Sequence, residues 1–195
     1  AVQTTVGGNL IVGNGTSLSV GGFNFSVTGT TTVGSGGAST LAITSSSGTK
    51  TFAGLVTISS TWNNSGNSAA SFQNGITNNG TFTAGSGVYT FDTNTQSLRG
   101  TLTIPNVTVT GVTLINNNNL TVSSALSGTG DLTQAIGSNL TLNGTVGIST
   151  LNAINSGNSV TYNGTSQTIF PTTYNNLTIN QTSGDATISG ATRVN

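Results

Sequence analysis

The chain has 195 residues, of which 33% are hydrophobic and 3% charged; Lys50, Arg99 and Arg193 balance Asp92, Asp131 and Asp185, and there is no His, Cys or Met. Folded domains usually carry about a quarter charged residues, so most groups that serve as general acid, base, thiol nucleophile or metal ligand are missing, which argues against an enzyme. The same deficit argues against a nucleic-acid binder, which needs a basic stripe, and no segment approaches the roughly 18 consecutive apolar residues of a membrane-spanning helix.

Alternating apolar and polar residues predict short strands along the whole chain. Asn9-Leu10-Ile11-Val12, Leu18-Ser19-Val20 and residues 23–27 come first. Residues 55–58, 102–104, 107–109, 140–142 and 177–179 repeat the pattern. Gly, Asn or Ser follows each within a few positions and supplies turn geometry. Good helix formers are too sparse, and Thr, Asn and Gly too dense, to sustain several helical turns. The period-2 phasing places Leu10, Val12, Phe91, Leu98, Val107, Val109, Leu120, Leu140, Leu142, Ile169, Leu177 and Ile179 in the core.

Internal repetition narrows the fold class. An Asn-apolar-x-apolar motif recurs at Asn9, Asn106, Asn119, Asn139 and Asn176. The run from Tyr89 to Leu98 aligns without a gap on that from Val160 to Ile169, pairing Gln96 with Gln167. Modules covering roughly residues 41–58, 89–109 and 160–179 thus sit within one all-β domain spanning residues 1–195. Repeats too short to bury a core alone stack into linear arrays, so a parallel β-solenoid is expected. A β-sandwich or jelly roll with strand exchange is the alternative, because motif spacings vary between about 13 and 20 residues, unlike the strictest solenoids.

Segments such as Gly144-Thr145-Val146, Tyr174-Asn-Asn-Leu-Thr-Ile179 and Ser189-Gly-Ala-Thr-Arg-Val194 resemble the strand–turn repeats of large bacterial surface adhesins. Those are secreted β-helical or β-sandwich proteins of the filamentous-haemagglutinin and autotransporter kind. The resemblance implies an extracellular, non-catalytic, adhesive or fibrous role and assigns no individual residue. Ala1 is the sort of small residue that follows signal-peptidase cleavage, in keeping with secretion.

Individual residues carry narrower expectations. Asp131, in Ser127-Gly-Thr-Gly-Asp131, is the candidate calcium ligand, although a calcium site takes six to eight oxygens and a turn residue is the simpler reading. Asp92 and Asp185 read as turn and cap residues. Lys50 reads as a solubilising charge on a loop or edge strand, with a Lys–Asn cross-link as the sharper alternative. Trp62, beside Asn63 and Asn64, is the candidate exposed aromatic for glycans or surfaces. Eleven Asn-x-Ser/Thr sequons occur, among them Asn14, Asn63, Asn79, Asn143 and Asn163, and these five are candidate glycosylation sites. Polar turn ladders, in which stacked Asn amides bond one another, are the preferred account of the motif.

Function is expected to be structural. The chain reads as a subunit of an extracellular filament or adhesive fibre that assembles with copies of itself, head to tail, by β-strand addition. Ala1, Val2, Gln3, Thr4, Thr5 and Val6 are the candidate donated strand, with Ile188 and Val194 on the accepting rung. A stalk fragment of a larger adhesin is one alternative. An ice-binding protein is the other, because Thr-x-Thr pairs occur at Thr81, Thr93, Thr101 and Thr108, although those four do not recur at one rung-length period.

Overall fold

The computed structural model describes residues 3–35 and 37–195, and every strand pairing in it is parallel. The chain winds through about ten turns of a β-solenoid, with no helix among the described residues. Each turn crosses three faces. Gln3–Val6, Leu10–Val12 and Ser17–Val20 form the first turn, and Asn24–Val27, Thr31–Val33 and Thr40–Ile43 stack on them strand for strand. Solenoid is therefore the architecture, and the sandwich alternative is not formed.

Alternation within each strand decides what points inward. In Asn24–Val27, Lys50–Phe52 and Ala70–Phe72 the odd and even positions divide cleanly between the core and the outer surface. Parallel strands lie about 4.8 Å apart, so residues at equivalent positions pile into columns. Phe52, Phe72 and Phe91 form one such column on the first face, with ring centroids 5.4 and 5.6 Å apart and interplanar angles of 18° and 23°. Trp62 lies inward on the third face between Leu41 and Phe82 and stacks on the Phe82 ring at 6.0 Å.

Gln96–Val109 is a single strand that serves three faces in succession. Residues 96–98 pair with Thr113–Asn116, residues 101–104 with 119–122, and residues 106–108 with 125–127. Two residues let it turn without a loop. Gly100 has φ +83, and a register shift falls between Ile104 and Asn106, where Pro105 has no N–H to give a ladder.

Stacked positions lie between 17 residues apart, from Val160 to Leu177, and 25 apart, from Phe25 to Lys50. This revises the expected spacing of 13 to 20. The Asn106 and Asn119 motifs do not stack on each other: they occupy the first and third faces. The aligned modules beginning at Tyr89 and Val160 are likewise rotated by a face. Tyr89 stacks on Ala70 and Val107, whereas Val160 stacks on Leu140 and Leu177.

Most predicted core residues are buried, and three are not. Ile179 is 46% exposed, and Leu10 and Leu177 are half-buried. The reason is position along the rod. Leu10 belongs to the first turn, and Asn176–Ile179 pairs only with Ser159–Tyr162 below it, so among the described residues no further turn covers them.

Trp62 is 0% exposed, which corrects its expected place on the surface. Lys50 is equally buried, correcting its reading as a solubilising charge. It stands at an inward position between Phe25 and Ala70, and its ammonium donates to the main-chain carbonyls of Phe23, Ser47 and Gly48 at 2.9, 2.8 and 3.1 Å. The short Ala70 leaves room for the aliphatic stem, and the three carbonyls satisfy all three N–H donors.

Candidate functional site

Buried polar side chains hold the corners where strands change face. Gln96 accepts from the Gly75 N–H and donates to the carbonyls of Phe72 and Asp92. Gln167 repeats the arrangement, accepting from Gly164 and donating to Leu142 and Gly144. The sequence alignment had paired these two glutamines, and their shared task is to satisfy main-chain groups that a turning strand strands inside. Asn64 does the same at another corner: it accepts from the Ser68 N–H and donates to the Ser68 carbonyl and the Tyr89 hydroxyl.

The buried phenols are tied into this interior. Tyr89 accepts from Trp62 Nε1 and Asn64 Nδ2 and donates to the Ala84 carbonyl. Tyr174 donates to the Phe170 carbonyl, so Tyr162, which accepts from the Phe170 N–H, donates to Tyr174. Burial pushes the Tyr89 hydroxyl up to about 12 and raises Tyr162 as well. Tyr174 is raised by burial and then by the neighbouring Tyr162 hydroxyl. Desolvation lowers Lys50.

These shifts fix the alkaline behaviour. Phenols of the unfolded chain lose their protons near pH 10, while the folded chain keeps them, so the folded state binds more protons above that pH. Stability is then complete below pH 10 and falls as pH climbs toward 12. Lys50 acts in the opposite sense, since its folded form releases a proton first, but three phenols oppose one amine. The melting temperature is expected to drop steadily above pH 10. Tyr89→Phe should flatten that slope while costing about 2 kcal/mol at neutral pH through the orphaned Trp62 and Asn64 donors. Thermal melts of both chains from pH 8 to 12 check this, and parallel slopes would contradict it.

The other predicted residues are dispersed. Asp131 begins the strand Asp131–Gln134 on the second face and is half-buried. It lines a shallow depression with Thr93, Thr95, Thr113 and Thr129, which offer hydroxyls but no second carboxylate. Asp92 accepts from the Ser71 and Thr93 hydroxyls beside the first face. The Lys50 ammonium meets main-chain carbonyls, not an Asn amide.

Asn14 and Asn79 are exposed, whereas Asn63, Asn143 and Asn163 are half-buried. Asn14 already accepts from the N–H groups of Ser35 and Gly37, and Asn63 from that of Ser65. Amide-to-amide bonds do form between turns: Asn139 donates to Asn119 and Asn180 to Asn163, each at 2.9 Å.

Both ends of the rod are open among the described residues. Gln3–Val6 pairs along one edge only, with Asn24–Val27, and Thr187–Ile188 and Arg193–Val194 pair only with the turn before them. Ile188 is 61% and Val194 54% exposed there. Gln3, Thr4 and Thr5 are exposed and Val6 is half-buried; Ala1 and Val2 lie outside the described residues.

The third face has two halves. Ser17–Val20, Thr40–Ile43, Thr61–Asn63 and Thr81–Thr83 make one ladder, and no pairing joins it to residues 101–104 among those described. At the break Asn78 donates to the Thr101 carbonyl at 2.7 Å, in place of a main-chain partner. Beyond it a second ladder runs through residues 101–104, 119–122, Asn139–Leu142, Ser159–Tyr162 and Asn176–Ile179.

That second ladder aligns two outward columns. One holds Thr101, Asn119, Asn139, Ser159 and Asn176; the other holds Thr103, Thr121, Thr141, Thr161 and Thr178. The sequence had offered only scattered Thr-x-Thr pairs. Asn and Ser in the first column concealed four of the five members, and variable turn lengths concealed the period.

Comparison of the chain with protein-family models, curated proteins and solved structures finds no match.

Proposed function

We propose that this chain is a structural segment of an extracellular fibre, non-catalytic, in which copies stack end to end as continuous solenoid. The observation that carries the reading is the pair of uncovered end turns. Each offers a row of main-chain groups paired on one side only, beside apolar side chains that an added turn would cover. Joining the first turn of one copy to the last turn of another extends the ladders by strand addition. The two surfaces differ, so the contact propagates as an open filament.

Composition supports the rest of the reading. Six charged side chains in 195 residues leave little to repel a neighbouring copy and little with which to do acid–base chemistry. Gln3–Val6 already belongs to its own first turn, so the joint is a stack of whole turns and not a free arm inserted into a neighbour.

Negative-stain imaging across a concentration series tests the proposal. Rods should lengthen in multiples of one unit as concentration rises. Ile188→Lys, at an exposed position on the last turn, should stay folded and single, because a lysine there would be buried unpaired at the joint. A parent chain that remains one unit long at every concentration would refute end-to-end assembly.

A further inference from the structure

We propose that the double column on the third face, Thr101 to Thr178, binds the surface of ice. This goes beyond the fibre reading and does not depend on it, since a single rod presents the whole face.

Geometry is the first argument. Successive turns are about 4.8 Å apart and outward residues two positions apart on a strand are about 6.6 Å apart. The ten side chains therefore form a near-rectangular grid close to the repeat of water oxygens on a prism face of ice. Register is unbroken across all four pairings of the grid, and the one irregularity of these strands falls at the corner between Ile104 and Asn106.

Chemistry is the second. None of the ten side chains is charged, so no tightly held hydration shell must be stripped before a water lattice can settle. Threonine presents a hydroxyl that can occupy a lattice site and a methyl that fits between sites. Its branched Cβ restricts χ1, so little side-chain entropy is lost on binding. The Asn column is fixed as well: Asn139 donates to Asn119, Asn119 to the Thr101 hydroxyl and Asn176 to the Asn158 carbonyl. An array ordered before contact is what a rigid lattice can recognise.

The other faces lack this match. The first face carries one column of hydroxyls, running from Thr5 and Ser26 through Thr51 to Ser127, but its neighbouring outward column mixes Val88, Asn106 and Ala125. The second face is interrupted by Ile11, Arg99 and Ile115.

The test is thermal hysteresis measured with a nanolitre osmometer. The parent chain and the double variant Thr51→Lys/Thr90→Lys, on the first face, should both separate melting from freezing. Thr121→Lys/Thr141→Lys, at outward positions in the centre of the grid, should lose the effect while keeping the parent's circular dichroism and melting temperature. Ile188→Lys should retain it, since the face and not the end is what binds. No hysteresis in the soluble parent chain, equal losses in the two double variants, or loss in Ile188→Lys alone would each overturn the assignment.

Discussion

Trp62→Ala is expected to lower unfolding free energy by about 3–5 kcal/mol, the range for removing a large buried aromatic. The indole is fully enclosed, packed against Phe52 at 5.1 Å, Phe72 at 5.8 Å and Phe82 at 6.0 Å. Its removal opens a void bounded by strands of three successive turns, which cannot collapse without breaking ladder register. The Tyr89 hydroxyl also loses one of its two donors. Trp62→Phe keeps most of the packing and forfeits the hydrogen bond, so its penalty should be clearly smaller. Urea titrations of the two variants and the parent give the ordering. Trp62→Ala as stable as the parent would mean that the side chain is not in the core.

Gly100→Ala should cost about 3 kcal/mol, combining left-handed strain with overpacking. At φ +83 an L-residue is strained, and the added Cβ would meet the main-chain carbonyl of Asn78 in the turn below. Gly111 separates the two contributions. Its φ is +65 but a Cβ there would meet nothing, so Gly111→Ala should cost only the strain, about 1 kcal/mol. Equal melting temperatures for the two variants would show that the close approach between turns at Gly100 is not limiting.

The strands were legible because burial on one side imposes a period of two, and that period survives any turn length. Val107 and Val109, or Leu140 and Leu142, are inward where alternation put them. Face assignment was not legible. A motif step of 13 residues crosses part of a turn and a step of 20 completes one, and nothing local separates the two cases. Trp62 was misplaced because its neighbours Asn63 and Asn64 read as solvent-facing, whereas Asn64 turns inward to hold a corner. The setting of Lys50 was hidden for a related reason: its partners are carbonyls from two strand connections, one of them in the preceding turn, and a carbonyl leaves no mark on side-chain sequence. The double column on the third face fell between these cases. Its residues were visible, but their alignment depends on the lengths of the turns, which vary from 17 to 25 residues.

Winding some twenty residues into each turn gives the rod unusual mechanics. Bonds between turns lie along the rod axis, so a pull on its ends loads them in tension and peels strands away singly instead of shearing a whole sheet at once. A turn occupies about 4.8 Å of axis while folded, yet its roughly 20 residues span close to 70 Å when drawn out. Each turn released thus lengthens the tether more than tenfold over the height it filled. A fibre built this way would yield at its ends under load, pay out slack and rewind turn by turn when the load drops, because the remaining rod keeps the template for the next strand.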